Sequence, residues 1–149
     1  MNFPKNPLRE LSVHQILLSN QIEQLTRLNI WVNRLSEYLG FSQNLRFRLD
    51  LILSETITNI IENAYPDNQT HPIKVELQYC NNKLTLSVED DGIPFNPCER
   101  EEFEFPENLE DASIGGLGIH LIYSYSDELS YQRKDNKNQI RIVIYDPQK

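Results

Sequence analysis

The chain has 149 residues, of which 39% are hydrophobic and 24% are charged. Such a length and composition predict one folded domain of ordinary size, spanning residues 1–149. Lys and Arg number 14 against 22 Asp and Glu, so the net charge is -8. This acidity argues against direct nucleic-acid binding, which needs a basic surface. Cys80 and Cys98 lack metal-ligand spacing and are too few for a disulfide framework.

Residues 1–7 contain two prolines and predict an extended lead-in to an ordered core over residues 8–145. The N-terminus has no apolar run of the signal-peptide kind, and no uninterrupted apolar stretch approaches transmembrane length. We therefore expect a cytoplasmic protein without membrane contact.

The first elements in chain order are a strand and two helices. Residues 8–18 are apolar enough to contain a strand. Ser19 is a suitable N-cap for a helix that Gly40 ends, and a second helical pattern runs from near Ser42 to just before Pro66. Steps of three and four relate the apolar residues of the first helix, which are Ile22, Leu25, Leu28, Val32, Leu35 and Leu39. We expect the two helices to pack as neighbours.

The pattern then changes to period two. Residues 73–79 and 84–88 alternate between apolar and polar positions, and Asn81 and Asn82 separate them. This arrangement predicts an antiparallel hairpin with one buried face. Residues 91–113 are rich in proline and acidic side chains, so they predict a loop.

A short helix should start within the glycines of residues 115–118. Two closing strands follow over residues 127–133 and 139–145, joined by a turn at residues 135–138. Helices in the first half and strands mainly in the second predict an α+β fold, a two-layer sandwich with helices covering one face of a sheet.

The second predicted helix carries polar residues that could perform chemistry. Glu55, Asn59 and Asn63 are spaced by four, so they share one stripe opposite the apolar face. An amide oxygen is a hard ligand for Mg²⁺, and a carboxylate can orient or deprotonate a nucleophile. Read alone, this spacing also fits the solvated face of an amphipathic helix.

A second candidate lies where an apolar strand ends in Asp90, Asp91 and Gly92. A glycine turn lets the backbone approach a ligand, and a carboxylate there can accept a hydrogen bond from an exocyclic amine such as that of adenine. The same residues alone could be a polar turn that ends a strand.

The third candidate is the loop of Gly115, Gly116, Leu117 and Gly118 before a predicted helix. Backbone N–H groups at such a junction can converge on phosphate oxygens, and the helix dipole adds to the attraction. The loop matches neither the dinucleotide fingerprint nor the P-loop. It could also be a tight connection with no ligand.

Together, in this order, the three elements resemble the GHKL ATPase superfamily, and most closely its anti-sigma-factor serine/threonine protein kinase branch. Residues 55–65 resemble the N box, residues 90–97 the adenine-contacting box and residues 115–119 the phosphate loop. The end of a late strand, at residues 131–133, is also similar. The resemblance covers about residues 8–145.

The resemblance implies a GHKL (Bergerat) fold, with a left-handed βαβ unit and a mixed, mostly antiparallel sheet. It implies that Asn59 holds Mg²⁺, that Glu55 is the catalytic base and that Asp90 reads adenine. Residues 91–113 would contain a lid over ATP. The implied nucleotide contacts are Asn59, Asn63, Asp90, Gly92, Gly115, Gly116, Leu117 and Gly118.

Members of this branch phosphorylate a Ser or Thr of an anti-sigma-factor antagonist and also bind a sigma factor, so both are expected partners, and a homodimer is implied. The alternative is a non-catalytic module that sequesters a protein with ATP or without any nucleotide. The detached catalytic domain of a histidine kinase is disfavoured, because no helical hairpin with a phospho-accepting His precedes the N box.

Two departures from the branch affect this choice. Asn63 stands where the branch often has His, and both side chains can hydrogen-bond. No Lys or Arg occurs between Arg100 and Arg133, although this segment contains many acidic residues. Phosphoryl transfer normally gathers positive charge. Glu55 therefore favours the kinase, whereas the acidic segment favours the binding module.

Overall fold

The computed structural model describes residues 11–98 and 114–146. The predicted lead-in and most of the predicted lid lie outside these residues. The helices and strands, in chain order, are β1 (Ser12–Ser19), α1 (Gln24–Leu39), α2 (Gln43–Asn63), β2 (Pro72–Cys80), β3 (Lys83–Asp90), α3 (Ile114–Tyr125), β4 (Glu128–Lys134) and β5 (Lys137–Tyr145). Within the described ranges, no helix combines the length and apolarity needed to cross a membrane.

The strands form one sheet in the order β1-β2-β3-β5-β4, and each neighbouring pair is antiparallel. Two helices separate β1 from β2, so the chain returns in the opposite direction; a single crossover helix would return it parallel. Strands β3 and β4 do point the same way, but β5 lies between them. The expected mixed sheet is therefore corrected to an antiparallel one over these strands, and the α+β sandwich is confirmed.

The core lies between the helices and one face of the sheet. In β2, Ile73, Val75 and Leu77 are fully buried, whereas the alternating Lys74 and Glu76 face away from the core. Burying each large apolar side chain stabilises the fold by about 1.5–3 kcal/mol. Helix α2 supplies the facing residues Leu45, Leu49, Ile52, Leu53, Ile57 and Ile60. This packing fixes which stripe of α2 faces away from the sheet.

The prediction for α2 is confirmed, including its start: the hydroxyl of Ser42 accepts a hydrogen bond from Leu45 N at 3.0 Å. The predicted start of α1 at Ser19 is wrong. Ser19 is the last residue of β1, where it pairs with Pro72, and α1 begins only at Gln24. Gly40 ends α1 with φ 67, as predicted, because glycine adopts the left-handed conformation at little cost.

The first predicted hairpin turn is confirmed, and the second, predicted over residues 135–138, is confined to Asp135 and Asn136. Asn81 and Asn82 have φ 51 and φ 62, and Asp135 and Asn136 have φ 54 and φ 61. Two successive residues with positive φ match the right-handed twist of the strands, and Asn and Asp tolerate this conformation best after glycine. The second turn is tight enough for β5 to begin at Lys137.

Candidate nucleotide site

Helices α2 and α3 bring three of the predicted site residues together. A methyl group added to Gly118 would lie 2.6 Å from Oε2 of Glu55 and 3.5 Å from Oδ1 of Asn59. Asn59 is only 6% exposed, and Glu55 is half-buried. Gly118 thus allows α3 to approach the polar stripe of α2 without displacing the carboxylate of Glu55. We call Glu55, Asn59 and Gly118 the phosphate-end cluster.

The remaining glycines lie within α3 and not in a loop before it, because this helix begins at Ile114. Gly115, Gly116 and Leu117 therefore form its first turn, immediately before Gly118. The first four N–H groups of a helix have no partner inside the helix. The N–H groups at this helix N-terminus therefore have the chemistry that attracts phosphate oxygens.

The second group of site residues lies where β3 ends. Asp90 is 3% exposed, and its Oδ1 accepts hydrogen bonds from Gly92 N at 2.9 Å and from Nδ2 of Asn138 at 3.0 Å. Burial raises the pKa of Asp90, and these two hydrogen bonds oppose the rise. One carboxylate oxygen is thus fixed by the protein. Oδ2 bonds to no described residue and is the oxygen that could accept a ligand amine.

Gly92 lies against the C-terminal end of α2. A methyl group at Gly92 would be 2.5 Å from Cβ and 2.6 Å from the carbonyl oxygen of Ala64. The next residue, Ile93, donates its N–H to the same carbonyl at 2.9 Å. The Asp90 loop is therefore packed on α2 with no space for a side chain. We call Asp90, Gly92 and Ala64 the base-end cluster.

Asn138 of β5 holds the base-end cluster in place, and the sequence analysis missed this residue. It is 1% exposed, and Nδ2 donates to Asp90 and to the carbonyl oxygen of Ile93, the latter at 2.8 Å. Its Oδ1 accepts from the hydroxyl of Tyr131 at 2.5 Å and from Nη1 of Arg133 at 3.1 Å. Asn138 therefore connects the Asp90 loop to the β4–β5 hairpin.

A signal for Asn138 was present in the sequence. Asn138 continues the alternation that places Ile140, Ile142 and Ile144 on the core face of β5. A polar side chain in such a series must find buried hydrogen-bond partners. Arg133 was noted only as part of the family resemblance at residues 131–133, and its Nη1 also donates to the carbonyl oxygen of Gly92 at 3.0 Å.

The two clusters occupy opposite ends of one helical stretch. Ala64 follows Glu55 by nine residues, which is about 13.5 Å along a helix axis. Asn63 lies near the base end, where its Nδ2 donates to the carbonyl oxygen of Asn59 at 3.0 Å. Its amide group is thus bonded to its own helix. An elongated ligand that reached both clusters would have to lie along α2.

Thr56 is a further buried residue beside the phosphate-end cluster. It is 2% exposed, and Oγ1 has no hydrogen-bond partner among the described residues. It lines a cavity of only about 10 Å³. The other lining residues are Asn59, Ile60, Phe95, Pro97, Ile122 and Ile140. Ligand pockets are usually larger by more than tenfold, so this cavity is too small for a nucleotide base.

A larger hollow, of about 390 Å³, lies on the uncovered face of the sheet. Its polar lining includes Lys74, Glu76, Ser87 and Arg141, and it contains none of the predicted site residues. Cavity size alone therefore does not single out α2, although Asp90 and Asp91 line a separate hollow of about 220 Å³. The carboxylate, amide and glycine positions at α2 match the chemistry expected of a nucleotide site, so α2 is the candidate. The hollow on the uncovered face of the sheet is lined by charges of both signs.

Residues 18–144 match the family model described as a histidine kinase-like ATPase domain. The chain belongs to this family. This histidine kinase-like ATPase domain is also 28% identical over 115 residues to the serine/threonine-protein kinase BtrW of Bordetella bronchiseptica, with 77% of this chain and 81% of the relative covered. The expected superfamily is thereby confirmed.

Two further relatives have names of the same kind. The serine-protein kinase RsbW of Listeria innocua is 33% identical over 94 residues, 60% of each chain. The anti-sigma F factor of Clostridium novyi is 27% identical over 92 residues, with 62% of this chain and 64% of the relative covered. The chain thus spans less than two thirds of these two relatives. Their names confirm the resemblance to the anti-sigma-factor kinase branch and support the expected enzyme class.

Proposed function

We propose that the chain binds ATP with Mg²⁺ along α2 and transfers a phosphoryl group to a Ser or Thr of an anti-sigma-factor antagonist. The base lies at the base-end cluster, and the phosphates lie beside Asn59 and the N-terminus of α3. The observation that carries this proposal is the position of Gly118 against both Glu55 and Asn59. It puts a carboxylate, a neutral oxygen ligand and a helix N-terminus in one place.

The residues present suit Mg²⁺ that is bound together with phosphates. This ion usually takes only one or two protein ligands and completes its shell with phosphate oxygens and water. Asn59 offers one buried amide oxygen for that role. Across residues 11–98 and 114–146, no group of three or more His, Cys, Asp or Glu could hold a metal alone. This donor set therefore favours a metal that arrives with the nucleotide.

ATP supplies the phosphoryl group, and the residues of this chain position it and handle the proton. Glu55 is one helical turn before Asn59 and is only half-buried, so an incoming hydroxyl can reach its carboxylate. Glu55 accepts the proton of the attacking Ser or Thr. Asp90 orients the base through Oδ2, because Gly92 and Asn138 fix its other oxygen.

The alternative is a module that binds its protein partner without phosphorylating it. The segment between Arg100 and Arg133 contains no Lys or Arg. Arg133 itself lies at the base end, where it is bonded to Gly92. Positive charge around the transferred group would then come from the metal and the α3 N-terminus, which is less than most phosphoryl-transfer sites gather.

The proposed protein partners are an anti-sigma-factor antagonist and a sigma factor, with a second copy of the chain in a homodimer, in the cytoplasm. The relatives named as anti-sigma factor and serine-protein kinase support these partners. Strand β1 also offers a surface suited to a protein contact. It is an edge strand, and Val13 and Leu17 on its uncovered face are 49% and 60% exposed.

A transfer assay tests the proposal. Purified chain is mixed with labelled ATP, Mg²⁺ and candidate antagonist proteins of the same organism, and association with antagonist and sigma factor is measured in parallel. We expect label on a Ser or Thr of one antagonist. Stable association with ATP bound but without transfer would favour the binding module, and no ATP binding would contradict both nucleotide-dependent functions.

A further inference from the structure

His71 makes contacts that the proposed chemistry does not use. Its ring stacks on Tyr65, with centroids 4.3 Å apart and an interplanar angle of 11°. Nε2 lies 2.8 Å and 2.9 Å from the carboxylate oxygens of Asp67, and Nδ1 lies 3.2 Å and 3.4 Å from those of Asp91. An ionised carboxylate can only accept. Both nitrogens can donate at once only when the imidazole is doubly protonated.

The ring connects three parts of the fold. Asp67 belongs to the connection after α2, His71 precedes β2, and Asp91 follows Asp90 directly. The backbone of His71 is held independently, because its N–H donates to Oδ1 of Asn20 at 2.8 Å and its carbonyl oxygen accepts from Asn20 N at 3.1 Å. The backbone of His71 is therefore fixed, and Asp91 lies against its imidazole ring.

We propose that doubly protonated His71 is a positioning residue, which holds Asp91 beside Asp67 and thereby fixes the Asp90 to Gly92 backbone in its base-reading geometry. This inference rests on the proposed nucleotide function. Asp91 lies between the carboxylate that reads the base and the glycine that packs on Ala64. A shift of the Asp91 backbone would therefore act on both neighbours.

Other titratable groups around the ring do not replace His71. Burial and the nearby Asp90 and Asp91 raise the pKa of Tyr65, so its hydroxyl stays neutral. Arg27 of α1 lines a hollow beside His71, but its guanidinium donates to the carbonyl oxygen of Leu17 and to Gln24.

On the other side, Lys137 lines a hollow next to Asp91, and its ammonium lies 3.2 Å from a carboxylate oxygen of Glu89. Among the described residues, His71 is thus the cationic group in direct contact with Asp91.

The direction of the pH effect follows from these contacts. Hydrogen bonding to Asp67, with a further bond to Asp91, raises the pKa of His71 above its ordinary value of 6.5. The loop is therefore held below the raised pKa and released as pH rises through it. We expect ATP affinity to fall about fivefold across this transition, a coupling of ordinary size for two linked sites.

The test uses the full chain, with NMR of the His71 ring and of the Asp91 and Gly92 amides, and calorimetry of ATP binding from about pH 5.5 to about pH 9. The ring, the two amides and ATP affinity should share one midpoint above 6.5. His71→Gln should bind ATP weakly at every pH. The pH dependence that this variant retains comes from the titration of ATP itself and is subtracted from the wild-type profile. Asp67→Asn should move the midpoint to lower pH, and His14→Gln on β1 serves as the matched control.

An His71→Gln variant with wild-type affinity and pH profile would overturn the inference, as would a ring that titrates at or below 6.5. If His71→Gln does not fold, the midpoint shift in Asp67→Asn decides, because the side chain of Asp67 is exposed. A wild-type chain that binds no ATP at any pH would contradict the nucleotide proposal. If the Asp91 and Gly92 amides still followed the His71 titration in that case, His71 would position the loop without any role in nucleotide binding.

Discussion

The two ends of the α2 stripe are built in different ways. At the base end, Asp90 is buried and hydrogen-bonded to Gly92 and Asn138, so its geometry is fixed by the protein. At the phosphate end, Glu55 and Asn59 lie one turn apart on α2, and Gly118 brings α3 against both. The difference suggests that the base end is organised before a ligand arrives, whereas the phosphate end presents groups whose partners come with the ligand and its metal.

The largest expected effect concerns Glu55 at the phosphate end. Glu55→Gln keeps the size and polarity of the side chain but removes the base, so transfer should slow by about a hundredfold to ten-thousandfold. ATP affinity and partner binding should change little. Single-turnover kinetics with a phosphorylated antagonist as product measures the rate, and a variant as fast as the wild type would remove Glu55 from the chemistry.

At the base end, Asp90→Asn should weaken ATP binding while leaving the fold intact. The charged acceptor for the adenine amine is lost, which costs about 1.5–3 kcal/mol, or roughly tenfold to a hundredfold in affinity. Burial already disfavours the charge of Asp90, so a neutral side chain should be tolerated there. Calorimetry that gave unchanged affinity in a folded variant would remove Asp90 from the site.

A matched pair of glycine substitutions sharpens the comparison between the ends. Gly92→Ala meets the backbone oxygen of Ala64, which cannot move without shifting α2, so we expect a loss of about 1–3 kcal/mol in the free energy of unfolding. Gly118→Ala meets the flexible end of Glu55, so its stability should stay within about 1 kcal/mol of the wild type. Urea unfolding measures both, and the reverse order would contradict the two packing descriptions.

The smallest expected effect comes from Thr56. Thr56→Val replaces a buried hydroxyl that lacks a partner among the described residues with a methyl group. The free energy of unfolding should rise by about 1 kcal/mol, because the cost of desolvating the hydroxyl is removed. Thr58→Val on the same helix is only half-buried and provides the control. A destabilised Thr56→Val would show that the hydroxyl is satisfied in solution.

The parts of the fold that local sequence determines could be predicted. Helix α2 with its Ser42 cap, the two Asn- and Asp-containing turns and the polar stripe of Glu55 and Asn59 depend on residues a few positions apart. The start of α1 could not be predicted in this way. Ser19 has the chemistry of an N-cap, but its pairing with Pro72 keeps it in β1, and that pairing depends on the whole sheet.

The support around Asp90 was unpredictable for the same reason. Asn138 and Asp90 are 48 residues apart, and they meet only because β5 pairs with β3. The contact between Gly92 and Ala64 likewise needs α2 to be packed on the sheet. The sequence motifs could therefore suggest which residues contact a ligand, whereas the residues that hold them in place follow from the tertiary structure.

The central claim, that a nucleotide lies along α2 with its base at Asp90 and its phosphates at Asn59, is tested most directly by calorimetry of Asn59→Ala. ATP and adenosine are titrated with and without Mg²⁺ into this variant, the wild type and Asp90→Asn. We predict that Asn59→Ala loses the Mg²⁺-dependent part of ATP affinity and keeps adenosine binding, because Asn59 contributes only to the metal. Asp90→Asn should weaken both ligands. Equal losses of ATP and adenosine in Asn59→Ala would contradict the division of α2 into a base end and a phosphate end.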